Sequence, residues 1–136
     1  LYSYIHNSVS SGLGKIGVIV DLACDESDMD IIGKNICMHI AATNPKSVSK
    51  EDFDPNLLND EKKIIMKQLK ETGKPDNIVE KMMDGKINKF VSESTLLGQK
   101  FVMDPSLTVS DYLDDISKEK NIKVEVRRFI RFELGT

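Results

Sequence analysis

The chain has 136 residues, of which 30% are charged and 40% are of the apolar types, and its net charge is −3. That balance fits an ordinary water-soluble protein with one domain and a real core, or a small core plus an appendage. The negative charge removes the electrostatic reason to expect nucleic acid, and no apolar run approaches the roughly 18 residues of a membrane span.

No signal-peptide pattern is present, so a cytoplasmic location is expected. The chain opens on Leu1 rather than methionine and is strand-like from the start, which reads as a piece of a longer protein. Cys24 and Cys37 are the only cysteines. Their spacing fits two small hydrophobes in a reducing compartment better than a disulfide framework. With only two histidines, a metal site lacks ligands, and no metal or cofactor is expected.

Leu1–His6 (LYSYIH) has strand character, Asn7–Gly14 (NSVSSGLG) reads as a Ser/Gly loop, and Lys15–Cys24 (KIGVIVDLAC) is a β-branched strand. The two strands are expected to pair antiparallel. A helix should start within Asp25–Asp30, capped by Ser27 or Asp28, and carry Ile32, Ile36 and Ile40 on one stripe until Asn44-Pro45 ends it. Ser47–Pro55 is polar and reads as a turn or loop.

From Pro55 to Thr72 the spacing predicts a charged helix with Leu58, Ile65 and Leu69 on one side. Gly73 and Pro75 stop it, Asp76 or Asn77 caps a second helix, and Ile78, Met82, Met83, Ile87, Phe90 and Val91 form the returning stripe. The narrow stripe and the charged remainder predict a projecting antiparallel coiled coil over residues 55–91, with 1–54 and 92–136 forming the body.

Leu96–Pro105 reads as a linking segment and Ser106–Lys120 as an amphipathic helix with Val109, Leu113 and Ile116 on one face. Val124–Leu134 reads as a strand with Val124, Val126, Ile130, Phe132 and Leu134 on one face, and Arg127, Arg131 and Glu133 on the other beside Phe129. Strands lie at both ends of the chain and helices between them. The fold class is therefore α+β: a small antiparallel sheet of about three strands, covered by helices, with the projecting hairpin.

Chemical motifs are sparse. Ser11–Gly17 (SGLGKIG) fails the phosphate-loop pattern, because Val9 stands where glycine is needed and Ile16 where Ser or Thr is needed. His39 reads as a structural helix histidine, whereas His6 ends a strand where a partner can reach it. No nucleophile accompanies His6. Asp111, Asp114 and Asp115 point in different directions around a helix and read as a solvated face. Arg127, Arg128 and Arg131 read as cross-strand partners for acids, or as an anion contact. These readings favour a protein-binding module over an enzyme.

Six stretches, SYIH, GKIGVIV, MHIAATNP, GKPDNIVEKMMDGKINKF, FVMDPSLTV and VRRFIRFELG, occur in an order that resembles bacterial elongation factor Ts, in the C-terminal half of its core with the coiled-coil insertion. The resemblance covers nearly the whole chain. It implies a guanine-nucleotide exchange factor without covalent chemistry, whose partner is elongation factor Tu. By linkage, a partner that prefers the nucleotide-free form lowers nucleotide affinity by the same coupling energy. It also implies that His6, with Tyr4 and Lys15, meets that partner, and that the arm tip at Gly73, Lys74, Pro75 and Asp76 touches it or a second copy of the chain. The T-D-F motif that intrudes beside the partner's magnesium in this family is absent from the sequence. DESDM, residues 25 to 29, follows the wrong strand to replace it. The competing reading is a self-associating coiled-coil scaffold with no GTPase partner.

Overall fold

The computed structural model describes the backbone of residues 2–10, 14–24 and 30–134, and the side chains of 16–24 and 30–133. The elements in chain order are β1 (Tyr2–Ser10), β2 (Gly14–Cys24), α1 (Asp30–Thr43), α2 (Pro55–Lys70), α3 (Asp76–Ser94), β3 (Lys100–Phe101), β4 (Asp104–Thr108), α4 (Val109–Lys120) and β5 (Val124–Leu134). The fold is α+β. β2 is central in a three-stranded antiparallel sheet of order β1-β2-β5, and β3 and β4 form a separate two-stranded ladder.

β1 does not stop at His6. Pairing continues through Asn7↔Gly17 to Ser10↔Gly14, so four of the residues expected in a loop belong to the strand. The long central strand supplies the ladder partners that this polar stretch needs, and at a sheet edge Ser and Asn are tolerated. The predicted caps of α1, Ser27 and Asp28, lie outside the described residues. Its end is as expected, with Asn44 in the left-handed region (φ 49) and its N–H donating to the Ile40 carbonyl at 2.9 Å.

One face of the sheet is the core. Val18, Val20 and Leu22 of β2 are fully buried against Ile36, Cys37 and Ile40 of α1 and Val109 of α4. Desolvation pushes the Cys37 thiol up to about 12, so it behaves as an apolar filler with negligible thiolate.

The last strand departs from its predicted faces. Asp21 pairs with Arg128 but Leu22 pairs with Val126, which leaves Arg127 as an extra residue in a β-bulge. One unpaired residue inverts the alternation beyond it. Val126 is buried as expected, yet Ile130 and Phe132 are 59% and 42% exposed, while Phe129 packs against the core. Arg131 turns toward the helices as well, and its Nη2 donates to the Ala41 carbonyl of α1 at 3.1 Å. On the open face Phe132 lies opposite Gly17, where an added Cβ would fall 2.2 Å from the ring. Aromatic cover of a strand glycine explains why Gly17 is buried without a side chain. Four residues further along β2 the Arg128 Nε donates to Asp21 Oδ2 at 3.2 Å, which is one of the cross-strand acid partnerships anticipated for the arginines.

The expected linker at 96–105 is structured, and it shortens the helix that follows. β3 and β4 fold as a small ladder, and α4 starts at Val109 rather than Ser106. A reciprocal capping box sets that start. Asp111 N–H donates to Thr108 Oγ1, and Thr108 N–H donates to Asp111 Oδ2, both at 3.1 Å. Asp111 is thus a cap as well as a surface acid.

Candidate partner-binding surfaces

The strand residues singled out for partner contact all lie on one hairpin. In the backbone register Tyr4 is opposite Val20, His6 is opposite Val18, and Lys15 lies between Val9 and Leu134. β1 pairs with β2 alone, so its second edge has no strand neighbour among the described residues.

The second set sits at the end of the helical hairpin. Asp54 caps α2 by accepting from Asn56 N–H at 2.9 Å, with Pro55 at the first helical position. At the tip Gly73 takes φ 71, a conformation that favours glycine, and its N–H donates to the Lys70 carbonyl at 3.3 Å. Thr72 Oγ1 donates to the Leu69 carbonyl at 2.6 Å and closes the turn from within. The predicted cap of α3 is corrected: Pro75 occupies that position with no side-chain hydrogen bond, and Asp76 begins the helix. The Pro75 carbonyl accepts from both Ile78 and Val79 N–H at 3.0 Å, while Asp76 still suits the helix dipole. Residues 70–78 are all exposed, so Gly73, Lys74, Pro75 and Asp76 form an accessible cap.

A seam of three buried residues zips the arm: Ile65 and Leu69 of α2 and Val79 of α3, flanked by Met66, Met82, Met83 and Ile87. Val79 rather than Ile78 enters it; Ile78 is 42% exposed. Met82, Met83 and Ile87 stay on the stripe as expected, and only its first member changes. With 16 residues in α2, the tip stands about 24 Å from the root at 1.5 Å rise per residue. The strand hairpin and the tip lie on different elements of the chain.

The arm's root is a joint that no local sequence pattern announces. Lys46 N–H donates to the Ser94 carbonyl at 2.7 Å, Leu96 N–H to Ser47 O at 2.8 Å and Leu97 N–H to Val48 O at 3.0 Å. These bonds stitch the segment before α2 to the segment after α3. Asp52 closes the same joint by accepting from Ser49 and Val48 N–H at 2.7 and 3.1 Å. Burial pushes its carboxyl up, but these hydrogen bonds outweigh that and hold it below the usual range. Phe53 meets Phe90 edge-on, with ring centroids 5.8 Å apart. Gly98 is the tightest point, because an added Cβ would lie 2.5 Å from the Ser92 carbonyl oxygen and 2.8 Å from Thr95 Oγ1. Gly98→Ala is expected to cost about 1–3 kcal/mol, since backbone must move. Thermal denaturation beside the open-space control Gly85→Ala, which meets nothing within 4 Å, measures it. The only sign of the joint in the sequence is a lone glycine in a partly apolar link.

His39 is fully buried where α1 meets the β3–β4 ladder. Its Nδ1 accepts from Val102 N–H at 3.1 Å, so Nε2 carries the proton and donates to Gln99 Oε1 at 2.9 Å. Thr43 Oγ1 also donates to Gln99 Oε1, at 2.9 Å. Desolvation holds the imidazole below its ordinary pKa against the opposing pull of Gln99. The ring is therefore a neutral bracket, as the structural reading expected, and it contributes no acid–base group to a surface. Among the described residues no group of three or more His, Cys, Asp or Glu side chains gathers to hold a metal ion. No helix among them is long and apolar enough to cross a membrane.

A sequence model of the family described as elongation factor TS matches residues 1–136. The chain belongs to the elongation factor Ts family. It is 45% identical to elongation factor Ts of Paracoccus denitrificans over 135 residues, which is 99% of this chain and 44% of that protein. Elongation factor Ts of Rickettsia akari is 43% identical over 136 residues, 98% of this chain and 44% of the relative. The chain thus spans less than half the length of the curated elongation factor Ts sequences it matches. The family places it among translation elongation factors and covers both the strand hairpin and the arm.

Proposed function

We propose that the chain is the part of a guanine-nucleotide exchange factor that grips elongation factor Tu in its nucleotide-free form and so favours release of GDP. Family membership across residues 1–136 carries this reading. The surfaces described above support it. The edge strand with Tyr4 and His6, together with Lys15 of its hairpin partner, forms one contact. The arm, a coiled coil in this reading, places Gly73–Asp76 as a second contact on the partner or on a second copy of the chain. Residues 55–91 act as an insertion in a body formed by 1–54 and 92–136. No covalent step is involved and the setting is the cytoplasm. Binding energy that discriminates against the GDP-bound partner appears as weakened GDP affinity by reciprocity.

The sequence has no T-D-F segment to disturb the partner's magnesium site, so the 136-residue chain by itself is expected to bind the partner weakly and to accelerate GDP release poorly. Titration calorimetry against nucleotide-free and GDP-loaded elongation factor Tu tests the grip, and stopped-flow release of a fluorescent GDP tests the acceleration. Preferential binding to the nucleotide-free form is expected, with release slower than a full-length elongation factor Ts produces. Equal affinity for the two forms would sink the exchange reading; full-length release rates would sink only the claim of weak acceleration.

A further inference from the structure

The side of the arm carries a groove that neither the tip nor the strand hairpin accounts for. It is a shallow concavity of about 740 Å³ lined by Lys62, Lys63, Met66, Lys67, Lys70, Glu71 and Met83. Helical spacing explains its build. Lys62, Lys63 and Lys70 stand four and three residues before Met66 and four after it, so three ammonium groups surround one thioether on neighbouring turns. Met83 reaches the same floor from α3. All four lysines are exposed and both methionines are half-buried. Four cations face one carboxylate, Glu71, and none of these lysines belongs to an ion pair among the described residues. The whole chain carries a net −3, so this is a local inversion of charge.

The geometry points to a docking groove on the arm for an acidic amphipathic helix of another protein. The methionine floor takes its apolar stripe, and the lysine rim takes the carboxylates beside that stripe. Methionine floors accommodate varied apolar side chains because the thioether chain is flexible and polarisable. An apolar stripe in a groove with charged flanks is a recurrent mode of helix recognition. The lysines steer an acidic partner inward and repel basic ones. Nucleic acid fits less well. The lining has no aromatic ring for base stacking and no arginine fork for phosphate, and a thioether floor offers a phosphate backbone nothing. This inference rests on the arm alone and does not need the exchange reading.

The probe is a synthetic helical peptide with leucines at i, i+3, i+4 and i+7 and glutamates flanking them, beside a control with glutamine for every glutamate. The 136-residue chain carries methyl-labelled methionine, with the Met66 and Met83 signals assigned through Met66→Leu and Met83→Leu. The glutamate peptide is expected to shift those two signals. Raising salt from 50 to 200 mM should weaken it several-fold, because exposed charges are screened over about 10 Å at 0.1 M. Lys63→Gln/Lys67→Gln/Lys70→Gln, three exposed changes whose fold is checked by circular dichroism, should weaken binding about tenfold. The inference is overturned if the glutamine control binds as well, or if the shifts fall on other methionines. It is equally overturned by no binding at millimolar peptide, or by a single-stranded RNA oligonucleotide that shifts Met66 and Met83 where the peptide does not.

Discussion

His39→Ala is expected to lower stability by about 3 kcal/mol, near 2 from the void and 1 from the lost hydrogen bonds. For a chain of this size that corresponds to a fall in Tm of roughly 10 °C. The ring fills space between α1 and the β3–β4 ladder, stacked obliquely on Phe101 with centroids 5.9 Å apart, and Phe101 in turn stacks on Tyr112 of α4 at 4.2 Å. Asn35 Nδ2 donates to the Tyr112 hydroxyl at 3.1 Å and closes a column from α1 through α4 and back. Deleting the imidazole leaves Val102 N–H without its acceptor and the column without its end. The same residue gives a pH signature with a definite sign. Its folded pKa lies below the ordinary 6.5, so as pH falls through 6.5 the unfolded chain takes up a proton that the folded chain refuses. Stability contributed by the neutral ring is complete above that value. It declines as pH drops toward the folded pKa and is level below it. Urea denaturation between pH 8 and pH 5 should show this decline in the parent and a flatter profile in His39→Gln. Parallel profiles would mean that His39 carries no such linkage.

Periodicity made most of the architecture legible. The isoleucines at 32, 36 and 40, the β-branched run of β2 and the Gly73–Pro75 break each encode their element locally, and each element forms where its pattern lies. The misses in the sheet share one cause, which is that pairing partners distant in sequence decide local detail. β1 runs on to Ser10 because β2 is there to receive it, although Asn7–Ser10 alone looks like a loop. The bulge at Arg127 comes from the shift in pairing between Asp21 and Leu22, and nothing in VRRFIR announces where an alternation slips. The capping box Thr108–Asp111 was readable, since T-x-x-D before an apolar run is a start signal, and it lay three residues inside the helix drawn from periodicity.

The surfaces divide in the same way. The tip is encoded within five residues, so Gly73 and Pro75 betray it in the sequence. The joint at the arm's root is assembled from Lys46–Val48 and Ser94–Gly98, some fifty residues apart, and no local pattern records it. The lysine–methionine groove lies between these cases. Its α2 half is written in KKIIMKQLK, but Met83 joins it only because the packing of Val79 fixes how α3 rotates against α2.

The arm has its own buried seam, separate from the core of the body. Leu69→Ala is expected to open the arm while the body stays folded. Leu69 is 2% exposed in a seam with only two other buried residues, and the seam shares none of them with the body's core. Truncating a buried leucine costs about 2–5 kcal/mol. A two-helix hairpin with three buried residues has little more than that to lose, because most helical stability in proteins comes from packing. Local opening has its own free energy, bounded above by that of global unfolding. Hydrogen exchange should therefore show amides of α2 and α3 losing protection, with β2 and α1 unchanged, and the helical circular dichroism signal should fall in part. Ile78→Ala on the same arm, at a 42% exposed position, should stay within about 0.5 kcal/mol of the parent. Equal loss of protection in β2 would show that arm and body unfold as one. If they separate as expected, the stitched joint of Lys46–Val48 with Ser94–Leu97 is a foundation that stays folded beneath an arm able to open. The affinity of any partner at the tip would then be reduced by the fraction of arms that are open.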